Sequence, residues 1–133
     1  MLSVLLVDDE YDTLLSWQAM CDAQGYYTLV ASDGKAALDV LRGGAVDVVV
    51  ADSKMPEMSG CELCYHMRQN PGLAEVVFIL VSAAPSPPAF LYYDAFLRKP
   101  LAASELTVEI DRIVVERNLH GRSKAARVAG LRS

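Results

Sequence analysis

The stretch AVDVVVADSKMPEMSG, residues 45–60, decides how the rest of the chain is interpreted. An apolar, mostly β-branched run through Ala51 ends in a single acid, Asp52, and a polar turn containing Pro56 then leads to Gly60. A strand buried on both faces of a parallel sheet has this near-continuous apolar character, and such sheets bind ligands beyond the carboxyl ends of their strands. We therefore place Asp52 where chemistry is expected, although an Asp after a strand is also a common turn residue or helix N-cap.

Three other strand-like runs also end in polar residues. Residues 4–7 lead into Asp8, Asp9 and Glu10, residues 76–81 lead into Ser82, and residues 94–97 lead into Arg98, Lys99 and Pro100. Because the carboxyl ends of parallel strands meet at one edge of a sheet, we expect these polar groups to converge on Asp52. Clustered carboxylates repel one another and need a cation or a proton, and oxygen ligands completed by water suit Mg²⁺. The alternative for the acids after residue 7 is a solvated loop that favours the start of the next helix.

Strand-like and helix-like patterns alternate along the chain. Strands are predicted at about 2–7, 26–31, 46–51, 76–81 and 95–97, and helices at about 12–24, 33–41, 60–69 and 104–119. This alternation predicts an α/β fold with a doubly wound parallel sheet. Residues 84–93 contain three prolines and are too few for a regular crossover helix. The fourth helix, between the fourth and fifth strands, is therefore predicted to be short, distorted or absent. The aromatic residues of this stretch either fold inward or form a partner-binding patch.

Length and composition indicate one domain with a substantial core, since the chain has 133 residues of which 53% are hydrophobic. The sequence lacks an apolar run long enough to cross a membrane, and its first strand ends in acids rather than a signal-peptide cleavage site. We expect a cytoplasmic protein with three free cysteines. Residues 1–119 would form the domain. Residues 120–133 carry four basic residues and no acid, which predicts a flexible, solvated tail or a contact with an acidic partner.

Four separated motifs resemble those of the response-regulator receiver domain, the phosphoacceptor half of two-component signalling. They are VLLVDDE at 4–10, VVVADSKMPEMSG at 48–60, ILVSA at 79–83 and FLRKPLAASEL at 96–106. The resemblance covers residues 2 to about 118. It implies a flavodoxin-like fold with five strands in the order 2-1-3-4-5. In the family the Lys-Pro peptide bond, which is Lys99–Pro100 here, is often cis.

The resemblance also implies a set of site residues. Asp52 would be the phosphorylated carboxylate. Asp8 and Asp9 would hold Mg²⁺ together with Asp52 and the backbone carbonyl of Lys54. The residues support this independently, because an Asp carboxylate can act as a nucleophile toward phosphorus and phosphoryl transfer depends mainly on positioning and charge neutralisation.

Three further residues would read out the phosphorylation. The resemblance implies that Ser82 contacts the phosphoryl group, that Lys99 pairs with it, and that Phe96 matches the aromatic ring whose rotamer reports the active state. A phosphoryl group adds acceptor oxygens that can reorganise such a two-state element. The alternatives are that Phe96 belongs to the core in both states and that Lys99 is a surface lysine beside it. We also hypothesise that the Lys54 side chain overhangs the phosphoryl group and alters dephosphorylation.

The functional expectation is a phosphorylation-switched signalling protein that accepts a phosphoryl group from a histidine kinase or histidine phosphotransfer protein. It would act as a stand-alone receiver on an unknown downstream protein, and would catalyse only its own phosphorylation and dephosphorylation. Direct DNA binding is not expected, since fourteen residues after the last helix cannot form a helix-turn-helix unit. One alternative is a phosphorylation-independent binding scaffold. Another, an Asp-nucleophile phosphohydrolase, normally carries a second Asp where this chain has Lys54.

Overall fold

The computed structural model describes residues 1–84 and 92–117. In chain order these form β1 (Ser3–Val7), α1 (Tyr11–Ala23), β2 (Tyr27–Ala31), α2 (Gly34–Arg42), β3 (Val48–Asp52), α3 (Gly60–Gln69), β4 (Val77–Ser82), β5 (Ala95–Arg98) and α4 (Ala103–Arg117). The prediction of a short, distorted or absent helix between β4 and β5 falls on residues 85–91, which lie outside the described part of the chain. The predicted tail at 120–133 also lies outside it.

All five strands are parallel and form one sheet in the order β2-β1-β3-β4-β5. This confirms the predicted flavodoxin-like fold and strand order. The central strand, β3, is buried along its whole length, as its continuous apolar run predicts. It pairs with β1 on one side and β4 on the other, so Asp52 lies at the middle of the carboxyl edge.

Two hydrophobic layers cover the two faces of the sheet, and the alternation of side chains along each strand separates them. One layer packs α1 and α4 against residues that include Val4, Leu6, Val48, Val50, Ile79 and Val81. The other packs α2 and α3 against residues that include Leu5, Val7, Val49, Ala51, Phe78 and Leu80. We call these the α1/α4 face and the α2/α3 face. In α4 the spacing i, i+4, i+7 and i+8 of Leu106, Ile110, Ile113 and Val114 predicts one buried stripe, and all four lie in the first layer.

The ends of the helices follow from local sequence. Gly25 follows α1 with φ of +86°, a left-handed conformation that glycine adopts without strain. Ser59 and Glu62 form a capping box at the start of α3, with reciprocal bonds of 3.1 and 3.0 Å. α1 begins at Tyr11, one residue before the predicted start at about residue 12. The sequence predicts an apolar side made of Leu14, Leu15, Trp17, Met20 and Cys21, but Leu15 is exposed. The buried side of α1 is set instead by Leu14, Trp17 and Cys21.

Candidate functional site

Three of the predicted site residues meet at the carboxyl edge of the sheet. Asp8 follows β1, Asp52 ends β3 and Lys99 follows β5. The Nζ of Lys99 lies 3.3 Å from Oδ2 of Asp52 and 3.5 Å from Oδ2 of Asp8. Both carboxylates belong to residues that are nearly inaccessible, with 1% of Asp8 and 7% of Asp52 exposed. One ammonium therefore bridges two buried carboxylates on neighbouring strands.

Asp9 brings a third carboxylate to this edge. One carboxylate oxygen from each of Asp8, Asp9 and Asp52 lies within 4.8 Å of the other two. Asp9 is exposed, so the cluster opens to solvent on its side. The donor set consists of oxygen atoms only, which fits a hard divalent cation such as Mg²⁺. The cluster holds more negative charge than Lys99 alone can neutralise.

Two groups of the cluster, Asp8 and Lys99, have shifted pKa values. Burial raises the pKa of Asp8 above its usual value, and the charge of Asp52 adds to the rise, while the Glu10 backbone N–H and Lys99 oppose it. Burial acts to lower the pKa of Lys99, but the carboxylates of Asp52 and Asp8 outweigh it and leave this pKa raised. Lys99 is therefore a stable cation, whereas Asp8 is held in an environment that disfavours its charged form. A metal cation at the cluster would relieve this cost.

The loop after β3 is fixed to its surroundings through the backbone of Ser53. Its N–H donates to the carbonyl of Val81 at 2.8 Å, and its carbonyl accepts from the N–H of Gly60 at 3.1 Å. A Cβ at Gly60 would lie 2.2 Å from the carbonyl oxygen of Asp52, so only glycine allows α3 to begin this close to β3. Lys54 is the next residue in the loop, and its side chain is exposed.

Ser82 and Phe96 lie beside the carboxylate cluster rather than within it. Ser82 is buried, and its Oγ accepts a hydrogen bond from the N–H of Ala84 at 3.1 Å and lies 2.8 Å from Oγ of Ser53. Phe96 is half-buried against the α2/α3 layer, with its ring centroid 6.2 Å from that of Tyr93. Strand alternation places Ser82 and Phe96 on this face, and Asp52 on the other.

Further expectations from the sequence can be compared with the structure. The Lys99–Pro100 peptide bond is cis. Four large side chains precede β5, at Phe90, Leu91, Tyr92 and Tyr93. Tyr92 is 76% exposed and Tyr93 packs against the core, while Phe90 and Leu91 lie outside the described residues. All three cysteines are free. Within residues 1–84 and 92–117, no helix is long and apolar enough to cross a membrane.

Sequence reasoning missed two contacts, one beside the site and one at the opposite edge of the sheet. The first is the contact of Ser53 with Ser82, which follows only from the register of β3 against β4: Asp52 pairs with Val81, so the two serines lie side by side. Arg68 makes the second. Its guanidinium, only 12% exposed, pairs with Asp94 just before β5. A single sequence offers no signal for this pair, which joins residues far apart in the chain.

Comparisons with known proteins agree with this geometry. The family model of the response regulator receiver domain matches residues 4–111. Response regulator SaeR of Staphylococcus aureus (strain USA300) is 27% identical over 119 residues, which cover 86% of this chain and 51% of SaeR. The chain thus spans about half the length of the curated relatives that it matches.

Solved structures match over most of their length. Chemotaxis response regulator CheY4 of Vibrio cholerae has a TM-score of 0.79 and 24% identity, covering 85% of this chain and 98% of that one. Response regulator TrrA of Thermotoga maritima, solved in complex with Mg²⁺-BeF, has a TM-score of 0.75 and 26% identity, covering 84% and 98%. The match to the family model covers most of the chain. It includes the strand ends that supply Asp8, Asp52 and Lys99 to the acidic edge. This chain therefore belongs to the response regulator receiver domain family of two-component systems.

Proposed function

We propose that Asp52 accepts a phosphoryl group in a Mg²⁺-dependent reaction and that this phosphorylation switches the protein between two signalling states. The observation that carries the proposal is the contact of Lys99 Nζ with both Asp52 and Asp8, at 3.3 and 3.5 Å. A carboxylate that is only 7% exposed and faces one fixed ammonium is suited to a reaction in which negative charge accumulates.

The metal would be held by carboxylate oxygens of Asp8, Asp9 and Asp52, with the backbone carbonyl of Lys54 as a further proposed ligand. Support comes from the separation of the three carboxylates, which lie within 4.8 Å of one another, and from their all-oxygen chemistry. TrrA, a relative with 26% identity, was solved with Mg²⁺-BeF. Bound Mg²⁺ would neutralise charge on the carboxylates and on the incoming phosphoryl oxygens.

In the proposed reaction, a carboxylate oxygen of Asp52 attacks the phosphorus of a phosphohistidine. The O–P bond forms as the P–N bond breaks, and the departing imidazole nitrogen takes a proton from water. Lys99 stays protonated, because its pKa is raised, and pairs with a phosphoryl oxygen as charge moves onto Asp52. Hydrolysis of the aspartyl phosphate later returns the carboxylate and releases inorganic phosphate. The protein thus would catalyse its own modification and no metabolic reaction.

The proposed partners follow from the same chemistry. The donor would be a histidine kinase or a histidine phosphotransfer protein, and the phosphorylated form would act in the cytoplasm through contact with a downstream protein. We propose that residues 1–119 act as the receiver domain, and residues 120–133 add four basic residues to it. Ser82 and Phe96 would carry the switch, because Ser82 is the hydroxyl next to the carboxyl edge and Phe96 shares its face of the sheet.

Lys54 is proposed to modulate the lifetime of the phosphorylated state. Its side chain is exposed and begins two residues after Asp52, from where the ammonium can pair with a phosphoryl oxygen. Exposed ion pairs are weak, so we expect Lys54→Ala to shorten the half-life of the phosphorylated form by about 2- to 5-fold. The decay is measured by intact mass after removal of the phosphodonor. An unchanged half-life would remove Lys54 from the account.

The proposal is tested by incubating the protein with acetyl phosphate and Mg²⁺ and measuring its intact mass. We expect a gain of one phosphate that requires Mg²⁺ and is absent in Asp52→Asn. Incubation with a phosphorylated histidine phosphotransfer domain provides a second donor, because some receivers use only a protein donor. Failure with both donors, together with no Mg²⁺ binding by calorimetry, would favour the phosphorylation-independent scaffold.

A further inference from the structure

Ser53 makes a contact that the proposed function leaves unexplained. Its Oγ lies 2.8 Å from Oγ of Ser82, the hydroxyl proposed to contact the phosphoryl group. The sheet register produces this contact, because Asp52 pairs with Val81 and the next residue of each parallel strand therefore lies beside the other. Opposite residues of adjacent strands project to the same face. The two hydroxyls thus form a pair at the ends of β3 and β4.

The backbones of both serines are fixed. Ser53 donates its N–H to Val81 and accepts from Gly60, at 2.8 and 3.1 Å. The carbonyl of Ser82 accepts from the N–H of Lys99 at 2.8 Å. Each hydroxyl can therefore change position mainly by rotation about χ1, which has a small number of staggered states. A hydrogen bond between the hydroxyls favours one combination of these states.

The strand register places Ser82 on the face of the sheet opposite to that of Asp52. Asp52 points to the α1/α4 face, together with Asp8 and Lys99, because these residues fall on the same parity of their strands. Ser82 and Ser53 fall on the opposite parity, on the α2/α3 face. In the proposed switch, the Ser82 hydroxyl would turn toward the carboxyl edge to donate to a phosphoryl oxygen on Asp52, and would leave Ser53.

We propose that Ser53 is a positioning residue that holds Ser82 in its unphosphorylated rotamer and so opposes the switch. This inference rests on the proposed function of Ser82. A hydroxyl–hydroxyl bond makes a modest net contribution, so its removal is expected to favour the phosphorylated arrangement by about 2- to 10-fold. Ser82 keeps a hydrogen-bond partner after the removal, because Ala84 N–H still donates to its Oγ at 3.1 Å.

The test is the affinity of the protein for beryllofluoride, a mimic of the phosphoryl group, measured by calorimetry at saturating Mg²⁺. Ser53→Ala is expected to lower the dissociation constant by about 2- to 10-fold. Ser53→Thr keeps the hydroxyl and should restore the affinity of the parent. In a Ser82→Ala background, Ser53→Ala should have no effect, because the bond is already absent. A general effect on packing would persist in that background and would not be restored by threonine.

The outcomes separate this inference from the proposed function. If the parent protein binds beryllofluoride and Ser53→Ala binds it equally or more weakly, the positioning role is wrong while the phosphoacceptor site stands. An equal gain in affinity with and without the Ser82 hydroxyl would also overturn the role. If the parent protein fails to bind beryllofluoride at all, the proposed function fails and the inference fails with it.

Discussion

Arg68 joins several separate parts of the chain at the edge of the sheet opposite the acidic site. Its Nε donates to the carbonyl of Tyr92 at 2.7 Å, and its Nη1 donates to the carbonyls of Val76 and Ala74 at 2.7 and 3.1 Å. Its Nη2 pairs with Oδ2 of Asp94 at 3.1 Å. A single side chain at the end of α3 thus fixes the segments that enter β4 and β5. We predict that Arg68→Met destabilises the protein strongly.

The magnitude follows from these contacts. The Arg68 and Asp94 side chains are only 12% and 14% exposed, so their bond is in the range of charge-assisted bonds, about 1.5–3 kcal/mol. The three carbonyls each lose a charged donor, but the Tyr92 residue is exposed and water can replace that partner. Asp94 retains the N–H of Phe78 at 2.7 Å and its pair with Arg117. We therefore expect Arg68→Met to lower the free energy of unfolding by about 3 kcal/mol.

The assay is urea unfolding followed by the fluorescence of Trp17, the single tryptophan, which is 3% exposed in the folded state. Arg42→Met provides a matched control, because Arg42 pairs with Asp39 at 2.7 Å while both side chains are more than two-thirds exposed, at 68% and 69%. The control should lose less than about 0.5 kcal/mol. If Arg68→Met loses no more than the control, the network does not support the sheet as argued.

Three further results are expected. Because burial raises the pKa of Asp8, the free energy of unfolding of the metal-free protein should fall as the pH rises from 3.8 through the raised pKa, and Asp8→Asn should flatten this slope in urea titrations. With Ellman's reagent at pH 8, Cys61 should react in the native protein and the other two cysteines should not. Both of these are fully buried, and burial raises the pKa of Cys21 to about 12. Rapid reaction of all three would contradict the packing. Gly60→Ala should lower the thermal midpoint sharply, because its Cβ would lie 2.2 Å from a backbone oxygen, whereas Gly72→Ala meets its nearest atom at 3.4 Å and should change the midpoint far less.

The fold was predictable because its signals are local. The valine run of β3 and the α4 stripe of Leu106 and Ile110 have periods that identify a buried strand and an amphipathic helix. The convergence of Asp8, Asp52 and Lys99 followed from the rule that parallel strands share a carboxyl edge. The helix boundaries differ by one or two residues, since capping depends on backbone geometry as well as on residue type.

The rest depends on three-dimensional contacts that a single sequence does not encode in a readable way. Arg68 and Asp94 are 26 residues apart, and neither position has a pattern that predicts a partner. The Ser53–Ser82 contact follows only once the register of β3 against β4 is known to the residue. Leu15 is apolar and was predicted on the buried side of α1, but in the structure Leu14 and Trp17 face the core and Leu15 faces solvent.

The central claim is that Asp52 carries the phosphoryl group. Borohydride reduces an aspartyl phosphate to homoserine and leaves free carboxylates unchanged, so peptide mass mapping after reduction identifies the modified residue. In protein phosphorylated with acetyl phosphate and Mg²⁺, we predict homoserine at position 52 and unmodified aspartate at positions 8 and 9. Homoserine at either of those two positions, with Asp52 unchanged, would contradict the account.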